Sequence, residues 1–149
     1  MDDYEKWEAA CEEIREDNAK LLEQFEAWLQ QKKLAEKTIH THTENVDFYI
    51  NEFLLYEDAV EAKDGTDDIS MFLGYWFIKK AMWATPAHIK RNAASLKKFY
   101  TFMNEEGEVS KESLSDLKKT IKEKLPEWTA TMSRYDDPDI DSMAEVWGM

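Results

Sequence analysis

Residues 85–107 have the sequence TPAHIKRNAASLKKFYTFMNEEG, which predicts a complete helix together with both of its ends. Thr85 can cap the amino terminus, and Pro86 suits the first helical position because no N–H is needed there. Gly107 is typical of the residue that follows a helix. The apolar residues between these ends recur at helical spacing, and they are Ile89, Ala93, Leu96, Tyr100 and Met103. The stretch therefore predicts an amphipathic helix with one buried face.

Three further helices are predicted before this one. The first spans roughly 28 residues from Tyr4, because its large apolar residues follow a heptad repeat. The second covers residues 38–56, starting at Thr38. The third runs from residue 69 to about residue 83 and is apolar on nearly all sides, which is typical of a central helix in a bundle.

A fifth helix is predicted to open at Ser110 and to end at Pro126, since proline disrupts a helix interior. Glycine and proline are scarce, with 4 and 3 residues in a chain of 149, so long helices are favoured over short strands. We expect an all-α compact bundle of about five helices with a long N-terminal helix. Residues 1–128 would form the domain, and residues 129–149 an acidic tail with an amphipathic patch.

Two features of the predicted helices leave their packing open. Asn18 takes an inward position in the heptad pattern of the first helix. There it could fix the register of a homodimer or lie in the chain's own core. Poorly matched flanking charges favour the core, so we expect a monomer or a weak homodimer. Phe48 and Phe102 lie opposite the apolar stripes of their helices. Each therefore contacts a partner or packs against the first or fifth helix, and we favour the packing.

Several protein classes are excluded by the residue types present. Cys11 is the only cysteine, so no intrachain disulfide or thiolate metal cluster can form. The acidic amino terminus does not resemble a signal peptide, and the longest apolar run, residues 71–78, is too short to span a bilayer. His40 and His42 diverge on a helix, which disfavours a shared metal. We expect a cytoplasmic protein without membrane partner, metal or cofactor.

Charge is distributed unevenly along the chain. The formal net charge is −13, which repels nucleic acid at long range, yet residues 69–104 contain six basic and no acidic residues. The basic side chains of this stretch are Lys79, Lys80, Lys90, Arg91, Lys97 and Lys98. They could contact phosphates together with Lys32, Lys33 and Lys37. Alternatively, they pair with acidic helices of the same chain.

Residues 22–128 resemble the N-terminal core-binding domain of the phage-integrase and tyrosine-recombinase family. Three stretches carry the resemblance, and they are FEAWLQQKKLAEKTIHTHTENVDFYINEFL, DDISMFLGYWFI and TPAHIKRNAASLKKFYTFMNEEGEVS. Their order and spacing match the family's aromatic helix, its Thr-started helix, its "Asp-Ile, Phe-Leu" helix and its helix ending in Leu-x-x-Phe-Tyr-x-Phe. The resemblance implies a small helical bundle with a sterile-alpha-motif-like (SAM-like) fold.

The resemblance also implies a function, because in the family this domain clamps one face of double-stranded DNA. The residues implied to contact DNA are Lys37, Thr38, His40, Thr41, His88, Lys90, Arg91, Ser95, Lys97 and Lys98, to which the charge pattern adds Lys79 and Lys80. We therefore expect a non-catalytic, DNA-binding-type module linked to DNA recombination or a mobile element.

The chain departs from the family in two ways. The family's catalytic domain, with its Arg, His and nucleophilic Tyr, has no counterpart after residue 128, so we expect no enzyme activity. Glu44 and Asp47 would also face phosphates in the family's docking mode. The alternative function is an acidic protein-interaction module on the same fold, which would bind a recombinase or another protein or mimic DNA. Its partner-binding residues would be Ile140, Met143 and Trp147 in the tail.

Overall fold

The computed structural model describes residues 2–80 and 85–136, and the regular structure in these ranges is helical throughout. The α-helices are α1 (Asp3–Gln31), α2 (Glu36–Asp47), α3 (Ile69–Met71), α4 (Phe77–Lys80), α5 (Pro86–Glu105) and α6 (Lys111–Asp136). A π-helical segment, Phe48–Phe53, extends α2, and a second one, Phe72–Trp76, joins α3 to α4. A short 3-10 helix, Ala62–Asp64, interrupts the acidic loop. The predicted all-α bundle is confirmed.

Helix α5 lies at the centre of the bundle and contacts α1, α2 and α6. Its ends are those that the sequence predicts. The Thr85 hydroxyl accepts a hydrogen bond from the His88 N–H, and Gly107 has a φ of +80°, which favours glycine. The buried residues of α5 are Ile89, Asn92, Ala93, Ser95, Leu96, Phe99, Tyr100, Phe102 and Met103. One side of the 20-residue helix is therefore buried, and its other side is exposed or half-buried.

The heptad face of α1 packs on the chain's own core. Asn18 is buried, and its side-chain amide donates hydrogen bonds to the Ile50 carbonyl at 3.2 Å and to Asn51 Oδ1 at 2.8 Å. Cys11 lies seven residues before Asn18, on the same face of α1. It packs against Leu55, close to the end of the π-helical extension of α2. The expectation that Asn18 lies in the core is confirmed. A homodimer through this stripe stays a prediction, and Asn18 is not available to fix its register.

Phe48 and Phe102 both pack inside the molecule. The Phe48 ring lies 5.6 Å from the Trp76 ring and 6.1 Å from the Phe72 ring, centroid to centroid. Phe102 is buried against Phe25 and its neighbours on α1. The expected packing on the first helix is confirmed for Phe102, and a partner contact through it is wrong, because the residue is 1% exposed. Phe48 packs on the predicted third helix, and not on the first or fifth.

Two predicted helix ends are wrong. Helix α2 begins at Glu36, so Thr38 lies inside the first turn and does not cap the helix. Helix α6 continues past Pro126 to Asp136, and the helical domain therefore includes residues 129–136 of the predicted tail. The physical reason is burial, because Trp128 and Met132 are 4% and 1% exposed. Burying two such side chains contributes about 3–6 kcal/mol, which offsets the roughly 3 kcal/mol cost of an interior proline.

We predict that Met132→Ala lowers the free energy of unfolding by about 2–5 kcal/mol, because it leaves a cavity in the core. The matched control is Ser133→Ala at the next, exposed position, which should change stability by less than about 0.5 kcal/mol. Urea unfolding followed by circular dichroism measures both variants. Equal stability of the two would show that the end of α6 contributes nothing to the core.

Candidate nucleic-acid interface

A groove of about 830 Å³ lies between α5 and α6, and Trp28 of α1 also lines it. We call it the lysine groove, since its charged residues are Lys97, Lys98, Lys118 and Lys122. The other lining residues are Trp28, Ala94, Thr101, Ile121, Leu125 and Pro126. Lys32 places its ammonium group 5.0 Å from the centre of the Trp28 ring and so adds a fifth cation near the rim. The groove combines a positive field with an apolar surface.

The lysines of this groove have no carboxylate partner among residues 2–80 and 85–136. The ion pairs found there join His40 to Glu44, Lys63 to Glu61, and Lys124 to Glu127. No carboxylate lines the groove either. The alternative in which the α5 cations pair with acidic helices is therefore wrong for the described residues.

Helix α5 adds a second pair of cations next to the groove. Lys90 and Arg91 are exposed and precede Lys97 and Lys98 by seven residues, so each lies on the same side of the helix as its counterpart. We call these four residues the α5 strip. The predicted basic surface on α5 thus consists of two pairs of cations on the side of the helix that is not buried.

Helix α2 lies beside α5 and carries the remaining predicted contacts. Lys37, Thr38 and His40 are exposed, whereas Thr41 is half-buried and donates its hydroxyl hydrogen to the Lys37 carbonyl. Lys37 and His40 line a different groove, between α1 and α2, which also contains carboxylates. Among the predicted contacts on α2, only Thr38 is both exposed and outside this second groove. Thr38 lies one helical turn from His42, where α2 contacts α5.

The two carboxylates of α2 that would oppose phosphates are engaged within the helix. Glu44 Oε1 lies 3.0 Å from His40 Nε2, and both side chains are mostly exposed. Asp47 accepts a hydrogen bond from the Asn51 side chain. The hydrogen bond to Asp47 does not neutralise its carboxylate, so this flank of the surface stays negatively charged.

Ser95 is not part of the surface, which corrects its predicted contact with DNA. It is 0% exposed, and its hydroxyl oxygen lies 2.7 Å from His42 Nδ1 and 3.0 Å from Asn45 Nδ2. The pattern is complete when Asn45 donates to the Ser95 oxygen and the hydroxyl donates to a neutral His42. The core contains these polar groups because both α2 and α5 are buried at their contact. No substrate can reach Ser95, so the contact fixes helix packing.

His42 lies at the contact between α2 and α5 and is 9% exposed. Burial, followed by the nearby Lys98, lowers the pKa of its imidazole below the ordinary 6.5. His88, by contrast, does cap α5, because its Nδ1 accepts a hydrogen bond from the Thr85 N–H at 3.0 Å. That contact, not DNA binding, accounts for its orientation.

The other predicted residues do not join the groove. The Lys79 ammonium group donates a hydrogen bond to the Tyr75 hydroxyl oxygen at 3.1 Å. Tyr75 lines a separate groove beside the end of α6. The side chain of Lys80 lies outside the described part of the structure. The predicted partner-binding residues Ile140, Met143 and Trp147 also lie outside it.

The sequence analysis missed the contribution of α6. Lys118 and Lys122 are one turn apart and both line the groove, but residues 105–128 carry a slight excess of acid when summed. The spacing of four residues indicates that these two lysines share one face of α6. The summed charge of residues 105–128 does not reveal this. Trp28 was assigned only to the core, although it is half-buried and lines the groove as well.

Other kinds of site were sought in residues 2–80 and 85–136. Every helix there is too short or too polar to cross a bilayer, and no three histidine, cysteine or acidic side chains converge as a metal site requires. No protein-family model matches the chain, and no curated protein or solved structure shows significant similarity to it. The lysine groove and the α5 strip are therefore assessed on their geometry.

We predict that the stability of the fold decreases as the pH falls through the ordinary histidine range. The unfolded chain binds a proton at His42 near pH 6.5, whereas the folded chain does so only at lower pH. Stability is therefore retained above the unfolded pKa and lost as the pH approaches the folded pKa. His42→Gln should weaken this dependence, measured as the difference in urea unfolding between about pH 7.5 and 5.5.

The matched control is His40→Gln, because His40 is exposed and lies two residues away on the same helix. It should retain the dependence of the wild type on pH. If His42→Gln also retained it in full, the buried imidazole would not be its source.

Proposed function

We propose that this chain is a non-catalytic module that binds the phosphate backbone of double-stranded DNA through the α5 strip and the lysine groove. The observation that carries the proposal is a set of six cations on two packed helices with no carboxylate partner in the described residues. Phosphates attract such a set because binding releases the counterions condensed on DNA. The resemblance to the integrase core-binding domain supports the same surface.

Most of the proposed affinity for DNA does not depend on the base sequence. Lysine provides a flexible point charge and lacks the planar fork with which arginine recognises a base edge or a phosphate in two contacts. Five of the six cations are lysines, and Arg91 is the exception. We therefore infer that contacts to phosphates position the chain on the duplex and that Arg91 is the best candidate for a directed contact.

In this proposal the chain binds DNA in the cytoplasm and takes no part in strand cleavage or rejoining. A role in recombination or in a mobile element would then be that of an accessory component. Its contribution would be to hold or cover a DNA segment.

A second function is favoured by the apolar part of the groove. Trp28, Leu125 and Pro126 offer a surface that the backbone of duplex DNA does not require. An acidic protein segment with apolar side chains would use both the lysines and this surface. A protein-interaction module is therefore the alternative, and the experiment below separates the two.

We predict micromolar binding of a labelled random-sequence duplex at low salt, with an affinity that falls steeply as salt is raised. Reversal of the α5 strip should remove most of this binding. The strip-reversed variant carries Lys90→Glu, Arg91→Glu, Lys97→Glu and Lys98→Glu. Because each lost phosphate contact lowers the slope of log affinity against log salt by about one, residual binding should be much less dependent on salt. Fluorescence anisotropy measures both quantities.

The matched control reverses four exposed lysines outside the groove and changes the net charge by the same amount. It carries Lys6→Glu, Lys20→Glu, Lys63→Glu and Lys111→Glu. This distant-reversed variant should bind within a few-fold of the wild type. Equal losses in both variants would show that net charge alone governs binding, and absence of any binding by the wild type at low salt would contradict the DNA proposal.

A further inference from the structure

We propose that the surface groove between residues 53–60 and residues 68–76 binds an arginine-rich, partly apolar segment of a partner protein. The groove has a volume of about 470 Å³, and we call it the aromatic groove. Its lining residues are Phe53, Leu54, Tyr56, Glu57, Asp58, Val60, Asp68, Met71, Tyr75 and Trp76. The inference does not rest on DNA binding, because these residues belong neither to the lysine groove nor to the α5 strip.

Exposed apolar side chains are concentrated in this groove. Four large apolar side chains are exposed in residues 2–80 and 85–136, and three of them line the groove. Met71 is 56% exposed, Tyr56 is 52% exposed and Tyr75 is 45% exposed, and Tyr4 at the start of α1 is the fourth. Single exposed apolar residues are common on protein surfaces, but a group on one surface indicates a binding site.

The exposed Tyr56 ring is supported by two half-buried rings behind it. It lies 5.7 Å from the Trp76 ring, and Trp76 lies 5.3 Å from the Phe53 ring, centroid to centroid. Both contacts are edge to face, an arrangement that stabilises aromatic pairs. Because the rings are already packed, little side-chain freedom is lost when a ligand contacts them. The groove therefore presents a preformed aromatic wall.

Carboxylates give the groove a negative charge. Glu57, Asp58 and Asp68 line it, and its lining residues include no lysine, arginine or histidine. None of the three takes part in the ion pairs found in residues 2–80 and 85–136. Burial, followed by the neighbouring Asp67, raises the pKa of the Asp68 carboxyl above its ordinary value. A cation bound beside these carboxylates would offset their mutual repulsion.

An arginine side chain makes both kinds of contact that the groove offers. Its planar guanidinium group stacks on aromatic rings and donates paired hydrogen bonds to a carboxylate, whereas lysine provides only a point charge. The chain already places the Lys79 ammonium group 4.8 Å from the centre of the Tyr75 ring, at the edge of this surface. Apolar neighbours of the arginines would cover Met71 and Val60. Nucleic acid is a poor occupant, because the carboxylates repel phosphates.

The test uses a short fluorescein-labelled peptide of alternating arginine and leucine, titrated with the full chain at physiological salt. Salt at this level screens the general attraction between a chain of net charge −13 and a basic peptide. We expect saturable binding by fluorescence anisotropy. A peptide with lysine in place of arginine should bind about three- to tenfold more weakly. Equal affinities of the two peptides would contradict recognition of the guanidinium group.

Two charge-neutralised variants locate the binding. The groove-neutral variant carries Glu57→Gln and Asp58→Asn and should bind the arginine peptide about tenfold more weakly than the wild type. The matched control carries Glu112→Gln and Asp116→Asn, two exposed acids at the start of α6. Helix α6 meets residue 74 only at Trp128, about 24 Å along its axis from Glu112 at 1.5 Å per residue. The control should stay within about twofold of the wild type, and equal losses would assign the binding to net charge.

The contribution of the apolar side chains is tested separately. Tyr56→Ala and Met71→Ala should each weaken peptide binding about three- to tenfold. Because both side chains are exposed, circular dichroism should show an unchanged fold. Tyr4→Ala is the matched control, since Tyr4 is exposed but does not line the groove, and it should bind as the wild type does. Unchanged binding by both groove variants would overturn the proposal.

NMR spectroscopy and sedimentation identify the site and the occupant. Addition of unlabelled arginine peptide to isotope-labelled chain should shift backbone amide signals of residues 53–60 and 68–76. Shifts confined to the acidic face of α1 would place the peptide elsewhere and contradict the proposal. The chain alone should sediment as a monomer. Self-association that the groove-neutral variant lacks would make a second copy the occupant, and a separate partner would then be wrong.

The strip-reversed variant separates this inference from the DNA proposal. It lacks the α5 cations but retains the aromatic groove, so it should bind the arginine peptide at least as tightly as the wild type. Loss of peptide binding in this variant would show that the two surfaces are not independent. Peptide binding by a wild type that binds no duplex would support the aromatic groove and contradict the DNA function.

Discussion

The packing of α5 against its neighbours is the constraint on which the rest of the molecule depends. Nine residues of this helix are buried, from Ile89 to Met103, and they occupy one side of it. Charged side chains cannot be buried there without large cost, so all four cations of α5 must lie on the other side. The gathering of positive charge on one side of α5 is therefore a direct consequence of the packing of the helix.

The buried polar groups fix how the other helices meet α5. Asn18 bonds the Ile50 carbonyl within the π-helical extension of α2, and Ser95 bonds His42 and Asn45 across the contact between α2 and α5. Each group would be left unpaired if its helix slid by one residue, which costs about 1–3 kcal/mol per group. The apolar core holds the helices together, and these polar contacts specify their register. They also keep α2 beside the α5 strip.

The sequence predicts those features of the fold that depend on neighbouring residues. Thr85, Pro86 and Gly107 define the ends of α5 through local backbone chemistry, and the heptad pattern of α1 depends only on spacing. The features that it does not predict arise from contacts between distant segments. Pro126 stays inside α6 because Met132 packs in the core, and Phe48 turns inward where α2 becomes π-helical and the 3.6-residue period no longer holds. The burial of Ser95 and the convergence of Lys118 with Lys97 likewise depend on helix pairing.

A chain with a net charge of −13 can still attract an anion locally, because its acidic residues lie outside residues 69–104, which carry six basic side chains. Trp28 marks the groove end of α1, and Asp17 lies eleven residues before it, about 16 Å along the helix axis at 1.5 Å per residue. That separation exceeds the screening length of about 8 Å at physiological salt, so most α1 carboxylates scarcely reduce the field of the groove. At low salt the screening length grows and the same carboxylates repel an approaching polyanion from every side except the basic one. Under the proposed function, the acidic surface limits the direction from which a polyanion approaches. The groove lysines, which form no ion pair within the described residues, then set the point of contact.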